Sequence, residues 1–226
     1  MLIGILETGK APDDLAARLG DYPALFARLL DGNGFDFKSW HVENNEFPAS
    51  IHDADGWLIT GSRHGAYEDH SFIPPLETFI RKAYADGIPL VGICFGHQII
   101  AQALGGKVEK FRDGWAIGPQ VYDFGAEPLT LQAWHQDQVT VVPEGAEVIG
   151  SNAFCANAAL VYGDRAFTVQ AHPEFEDIFV DGLINTRGRG RVPNPVLAAA
   201  ADRLGGPLHS AAIAQRIAAF YKQPRG

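Results

Sequence analysis

Residues 87–106 contain no Asp, Glu, Lys or Arg. An uncharged segment of this length is long enough to cross a bilayer as a helix. Its interior, however, holds one proline, two internal glycines and the polar pair His97-Gln98, which would leave polar groups and weak helix geometry in lipid. A buried strand, a tight turn and a helix explain the segment better, so we predict a strand over residues 89–93 and a helix over residues 97–104.

The turn of this segment reads Gly92-Ile93-Cys94-Phe95-Gly96. A reactive residue between glycines, after a strand and before a helix, is typical of a nucleophile elbow, where side chains at the flanks would collide. The helix N-terminus favours a negatively charged sulfur, and the Phe95 N–H is placed to point at a developing oxyanion. The alternative is a small buried Cys94, with glycines that only let strand and helix pack closely.

A partner for this sulfur follows the apolar run at residues 167–171, as His172-Pro173-Glu174. Reactive groups gather at the carboxyl ends of parallel strands, and both Cys94 and His172 fall at such ends. We expect His172 to exchange a proton with the sulfur and the leaving group, while Glu174 sets the histidine tautomer. The alternative is a surface loop.

Taken together, the motif Gly92-x-Cys94-x-Gly96-x-Gln98 and the later His172-Pro173-Glu174 resemble the class I glutamine amidotransferases, over residues 1 to about 175. Within that family, the chain resembles the GMP-synthetase-like group. The resemblance implies a Cys-His-Glu catalytic triad and a three-layer α/β fold of flavodoxin type. In that fold a mostly parallel central sheet has helices on both faces.

The resemblance also implies further site residues. Gly61, in Thr60-Gly61-Ser62, stands where the family has its oxyanion strand, so its N–H would join that of Phe95. The segment 134–137 resembles a motif of the family that contacts bound glutamine. The resemblance therefore implies that substrate contacts Gln98, His135, Gln136 and Asp137. The family usually has glycine where Gln136 stands, and Gln98 could instead make a simple hydrogen bond at the helix start.

The chemistry that the resemblance implies is a two-step acyl transfer without a cofactor. Cys94 would attack the side-chain amide of glutamine or of another γ-glutamyl compound, and His172 would protonate the departing amine. Water would then hydrolyse the γ-glutamyl thioester.

The rest of the chain predicts a single domain over residues 1–226. Alternating strands and helices favour a parallel sheet with both faces covered. The predicted early strands are residues 2–6, 35–42 and 57–60, and the helices are 13–30, broken near Gly20, and 74–86. Short β-like runs at 107–111, 120–124, 129–133, 147–151, 160–162 and 167–171 predict an antiparallel extension of the sheet. Extra helices are expected at 175–185, 194–204 and 207–221.

Composition excludes some functions. The formal charge is −9, so neither nucleic acid nor an anionic membrane is an expected partner through bulk charge. Two cysteines exclude a disulfide scaffold and favour a reducing cytoplasm. Residues 4–11 fall one residue short of a phosphate loop, because Ala11 cannot ligate Mg²⁺.

Two polar clusters have open interpretations. His64 and His70 share a loop with Glu68 and Asp69, which could hold a metal weakly, but a solvated loop is expected and no metal site is predicted. The basic segment 187–191 is expected to be a solvated connector, or else a patch for a phosphate or a carboxylate-bearing substrate.

Three functions therefore remain open. The favoured one is a stand-alone amide hydrolase acting on a small γ-glutamyl molecule, because no synthetase module is present in this sequence. The second is a glutaminase subunit that delivers ammonia to a separate synthetase partner. The third is a non-catalytic binding module on the same fold.

Overall fold

A seven-stranded sheet forms the centre of the computed structural model, which describes residues 1–225. The strands of the molecule are, in chain order, β1 (Leu2–Leu6), β2 (Asp36–Trp40), β3 (Gly56–Ile59), β4 (Leu90–Ile93), β5 (Lys107–Lys110), β6 (Ala116–Asp123), β7 (Pro128–His135), β8 (Asp137–Val141), β9 (Glu147–Gly150), β10 (Ala159–Tyr162) and β11 (Ala166–Val169). The helices are α1 (Asp13–Leu19), α2 (Tyr22–Leu29), α3 (Ile73–Ala85), α4 (Phe95–Ala103), α5 (Asp177–Asn185), α6 (Asn194–Ala201) and α7 (Ser210–Lys222), and a short 3-10 helix covers Val42–Asn44.

The order of strands in the main sheet is β2-β1-β3-β4-β11-β10-β9. The first five are parallel to one another, and β10 and β9 continue the sheet in antiparallel pairing. An order that reverses direction beside β1 is the doubly wound arrangement of flavodoxin-like proteins. The predicted mostly parallel α/β sheet is confirmed.

Helices cover both faces because side chains of the parallel strands alternate between two cores. On β1, Ile3 and Ile5 face one core, which α1, α2, α5, α6 and α7 cover, while Leu6 faces the other. On β3, Trp57 and Ile59 pack into that second core, beneath α3 and α4. The apolar runs predicted as buried strands are therefore buried on both sides.

The antiparallel extension was predicted too broadly. Only β9 and β10 extend the main sheet, whereas β5 pairs with β8 and β6 with β7 in two separate ribbons. Strand β8 was not predicted, because its pairing with β5 is a long-range contact that a short, mixed polar run does not reveal. Strand β6 begins at Ala116, earlier than predicted, since it pairs with β7 along its whole length.

The C-terminal helices pack on the same core as the N-terminal half. The Tyr221 hydroxyl of α7 donates a hydrogen bond to the Trp57 carbonyl of β3 at 2.9 Å. Helix α5 begins at Asp177, three residues after Glu174. Because the His172-Pro173-Glu174 segment follows the carboxyl end of β11, α5 begins close to that end of the sheet. Among residues 1–225, no helix is long and apolar enough to cross a membrane.

Candidate active site

The turn between β4 and α4 places Cys94 in a strained conformation. Its φ is +53°, and among residues 1–225 only one other non-glycine residue, Asn45, has a positive φ. Such a backbone costs roughly 1–3 kcal/mol and persists only where the surroundings impose it. They do so here, because a Cβ on Gly92 would collide with the Gly96 carbonyl, and a Cβ on Gly96 with the Ile59 carbonyl.

The imidazole of His172 lies between Glu174 and the sulfur of Cys94. Its Nδ1 is 2.7 Å from Glu174 Oε1, and both side chains are almost completely buried. The Phe175 ring stacks on the imidazole at 4.0 Å, with 3° between the planes. Since Glu174 occupies Nδ1, Nε2 is the nitrogen left for the sulfur.

Burial by itself would lower the pKa of His172. The negative charge of Glu174, then Cys94 and the hydrogen bonds of His172 to both, outweigh burial and raise that pKa to about 10. The charged imidazolium is therefore the favoured form of this side chain at neutral pH. This is the form that can give a proton to a leaving group.

Gly61 lies directly against the side chains of His172 and Cys94. A Cβ at this position would lie 2.8 Å from His172 Cε1 and 3.8 Å from Cys94 Cβ. The loop is held by the Thr8 hydroxyl, which donates to the Thr60 carbonyl at 2.9 Å. The amides of Gly61 and Phe95 have no acceptor within the described 225 residues.

Gln170 is a site residue that the sequence interpretation missed. It is fully buried, and its Nε2 lies 3.6 Å from the Cys94 sulfur. Its Oε1 accepts a hydrogen bond from Gln98 Nε2 at 3.1 Å. The available signal was a polar side chain inside an apolar run, two residues before His172.

A cavity of about 330 Å³ opens above the cysteine. All four predicted substrate contacts line it together with two of the predicted catalytic residues: Gln98, His135, Gln136, Asp137, Cys94 and His172. The wall also includes residues that were not predicted as substrate contacts: Tyr22, Tyr67, Trp115, Lys110, Arg187 and Arg191. The basic segment 187–191, which follows α5, therefore lies beside the cavity with two of its arginines in the wall.

The predicted substrate contacts are already bonded to the protein. Gln98 Nε2 donates to the Asp137 carbonyl at 2.9 Å, and Gln136 Nε2 donates to the Phe111 carbonyl at 3.2 Å. Asp137 accepts a hydrogen bond from the Tyr67 hydroxyl at 3.1 Å. Burial is the main reason why the pKa of Asp137 is raised. These contacts fix the segment after β7 against α4.

His135 is a neutral imidazole beside a charged one. Burial, and then the charge of His172, lower its pKa to about 3. Its Nδ1 lies 3.3 Å from the Asp137 carbonyl, whereas its Nε2 is buried without a hydrogen-bond partner among residues 1–225. An unpaired polar nitrogen that is buried costs free energy, so it is a candidate contact for a substrate.

Comparisons with known proteins relate this chain to the following family and relatives. The family model described as glutamine amidotransferase class-I matches residues 27–177. The chain is 34% identical to γ-glutamyl peptidase 4 of Arabidopsis thaliana, over 76% of this chain and 76% of that protein. It is 30% identical to a GMP synthase (glutamine-hydrolyzing) of Clostridium acetobutylicum, over 52% of this chain and 24% of that protein. The crystal structure of a glutamine amido transferase from Methylobacillus flagellatus shares the fold, with a TM-score of 0.77 and 24% identity over 98% of this chain and 91% of that one.

Proposed function

The chain belongs to the class-I glutamine amidotransferase family, and on that premise we propose that it is a cysteine-dependent amide hydrolase. Its substrate is a γ-glutamyl compound or glutamine. The observation that carries the proposal is the buried His172, held by Glu174 and facing a cysteine on a strained turn. A base oriented by a third group is the arrangement that activates a nucleophile.

The reaction proceeds in two steps. With its proton already held by His172 as the imidazolium, the Cys94 sulfur attacks the γ-carbonyl carbon, and the resulting oxyanion accepts hydrogen bonds from the Gly61 and Phe95 amides. The intermediate collapses, the C–N bond breaks, and His172 returns the proton to the departing nitrogen. Water, deprotonated by His172, then attacks the thioester and releases glutamate and the free thiol.

The basic side of the cavity supports a γ-glutamyl peptide over glutamine. Arg187 and Arg191 both line the cavity, and guanidinium groups pair with carboxylates through charge-assisted hydrogen bonds. A γ-glutamyl peptide keeps a free carboxylate on its leaving group, whereas glutamine releases only ammonia. The name of the plant relative, γ-glutamyl peptidase 4, agrees with this choice.

The similarity to GMP synthase favours a second candidate function. In this alternative, the chain is a glutaminase subunit whose ammonia passes to a separate synthetase partner. The third possibility, a non-catalytic binding module, has less support because Cys94, His172 and Glu174 are all present at one site. The proposed reaction needs only side chains and water, so it requires no cofactor.

We further propose that Gln98, His135, Gln136 and Asp137 bind substrate, as the wall of the cavity above Cys94. Gln98 would act by positioning, since its amide already holds the Asp137 carbonyl. We also propose that residues 1–226 form one domain, because one core cluster joins β1 with α7. A cytoplasmic location stays a prediction.

Glutamate release from glutamine and from γ-glutamyl dipeptides tests the proposed function. The wild-type chain should turn over the peptides, and Cys94→Ser should abolish turnover because the covalent route needs the sulfur. Cys155→Ser is the matched control: this thiol is also buried, and burial raises its pKa to about 12, so it takes no part. Turnover of neither substrate by the wild-type chain would contradict a stand-alone hydrolase.

The carboxylate preference has its own test. Arg191→Ala should raise the KM for γ-glutamyl dipeptides by about fivefold, the equivalent of about 1 kcal/mol for a partly solvated ion pair. The KM for glutamine should change less. Arg189→Ala is the control, because Arg189 bonds Asn185 and does not line the cavity. Equal changes for both substrates would contradict carboxylate recognition.

A further inference from the structure

A second cluster containing histidine lies outside the proposed triad, on the loop between β3 and α3. His64, Glu68 and His70, here named the loop cluster, each bring one potential ligand atom, and these atoms lie within 4.8 Å of one another. Glu68 Oε2 is 2.8 Å from His70 Nε2 and 3.8 Å from His64 Nδ1. The two imidazole centroids are 4.0 Å apart. The sequence predicts a solvated loop here, whereas the fold brings two ring nitrogens and a carboxylate oxygen close together.

The spacing of these atoms suits a small divalent cation. Zn²⁺ binds nitrogen and oxygen at about 2.0–2.2 Å in a tetrahedral array, which separates neighbouring ligand atoms by about 3.3 Å. Two separations in the loop cluster, 2.8 and 3.8 Å, bracket that value, and all three ligand atoms lie within 4.8 Å of one another. The side chains of His70 and Glu68 are partly exposed, so adjustment of their rotamers meets little packing resistance. Three protein ligands leave the fourth position to water.

Glu43 supplies the outer contact that a metal-binding histidine needs. Its Oε1 lies 3.0 Å from His64 Nε2, on the side of the ring away from Glu68. In the tautomer with its proton on Nε2, His64 donates to Glu43 and directs its Nδ1 lone pair towards the other two ligand atoms. Histidines that bind metal almost always donate their other N–H to a carboxylate or carbonyl in this way.

The charge around the loop cluster also suits a cation. Glu68 Oε2 and Glu43 Oε1 place two carboxylates in contact with its imidazoles, at 2.8 Å from His70 and 3.0 Å from His64. The Arg63 guanidinium lies beside the cluster, 3.4 Å from His64 Nε2, and is paired with Glu43 at 3.2 Å. Two carboxylates thus face one guanidinium.

We propose that His64, Glu68 and His70 bind a Zn²⁺ ion, with Glu43 orienting His64. The proposal stands independently of the hydrolase activity. It has a consequence for the active site, because His64 and Glu68 line the same cavity as Cys94. His64 also follows Gly61 by three residues, so a bound ion fixes one wall of the cavity.

Zn²⁺ titration of the full chain, first stripped of metal with a chelator, tests the site without any substrate. Calorimetry and competition with a chromophoric chelator give stoichiometry and affinity. We expect one tight site per chain and a zinc-dependent rise in Tm. Glu43→Gln should weaken binding by about 10–100-fold, as outer contacts do, and His70→Ala should weaken it at least as much. Urea unfolding of each variant without metal shows that it is folded.

Two control variants make the outcome decisive. His52→Ala removes an exposed histidine paired with Asp86, remote from the loop cluster, and should leave zinc affinity unchanged. Cys94→Ser removes the thiol that could itself bind zinc, and should also leave the tight site intact. The proposal is overturned if no tight binding occurs, if His70→Ala binds as the wild type does, or if Cys94→Ser removes the site. A sulfur-to-metal charge-transfer band with Co²⁺ would likewise overturn it.

Discussion

Two histidine–carboxylate pairs in this molecule have almost the same contact distance. His172 and Glu174 are 2.7 Å apart, with side chains 4% and 0% exposed, whereas His70 and Glu68 are 2.8 Å apart, with side chains 35% and 46% exposed. Distance alone would rank them as equal. Water screens the second pair and not the first, so the electrostatic attraction is much stronger in the buried pair, which holds the His172 imidazole in the charged form.

The comparison separates two uses of one contact. At the buried pair, the Phe175 ring covers the imidazole, and in the proposed mechanism Glu174 fixes the charge, tautomer and ring orientation of His172 together. On the loop, the carboxylate and the imidazole are both partly exposed, and in the zinc proposal they exchange their mutual contact for a shared cation. The predictions below test this difference, from the largest expected effect to the smallest.

Removing the charge of the buried pair should have the largest effect. In Glu174→Gln the side chain keeps its shape but no longer stabilises the imidazolium, so kcat/KM should fall by roughly 10³–10⁴-fold. Steady-state hydrolysis of a γ-glutamyl dipeptide measures this. Glu147→Gln, at an exposed position on β9, is the control and should retain wild-type kinetics. A loss smaller than tenfold would contradict the role given to Glu174.

Displacing the buried imidazole should have the next largest effect. In Gly61→Ala the new Cβ would lie 2.8 Å from His172 Cε1, so the ring or the loop must move. Disturbing one oxyanion donor costs about 10²–10³-fold in kcat. Gly206→Ala is the matched control, because its Cβ meets only the Arg203 carbonyl, at 4.0 Å. Wild-type kcat in Gly61→Ala would show that Gly61 does not contact the reacting groups.

The buried pair should also be visible in the pH dependence of stability. The pKa of His172 rises from 6.5 to about 10 on folding, so the folded state binds this proton more tightly than the unfolded state does. Its contribution to the free energy of unfolding is therefore complete below pH 6.5 and is lost as pH rises towards about 10. Urea unfolding at a series of pH values should show a steeper decline for the wild type than for His172→Gln. His52→Gln should keep the wild-type slope, and equal slopes for all three would refute the shift.

The exposed pair should give the smallest effect. With a chelator present, His70→Ala should change the free energy of unfolding by less than about 1 kcal/mol, since solvent-exposed ion pairs contribute little. Urea unfolding measures this value. A loss of several kcal/mol would show that the loop cluster stabilises the fold without a metal, and would erase the difference between the two pairs.

How much of the fold and of the candidate site could be predicted from the sequence depends on how far apart in the chain the interacting residues lie. Four of the five parallel strands were predictable because each is a short apolar run that is almost completely buried, whereas the edge strand β2 is polar and largely exposed. The turn at Cys94 was predictable because Gly92 and Gly96 lie only two residues from the cysteine. Strand β8, the separate ribbons and the contact of Gln170 with Cys94 depend on pairings between distant segments. The same holds for Arg191, which only the packing of α5 brings to the cavity. The roles of the site residues stay predictions until they are measured.

The stack of rings that begins at His172 has a consequence for the design of shortened or fused forms. Phe175 covers the imidazole, and Phe179 of α5 stacks on Phe175 at 4.4 Å. The family match ends at residue 177, between these two rings. A chain cut at that boundary would keep the three side chains of the proposed triad and lose the second ring, exposing Phe175 to water and loosening the imidazole. If the proposed hydrolase activity holds, the smallest active unit of this protein therefore includes α5.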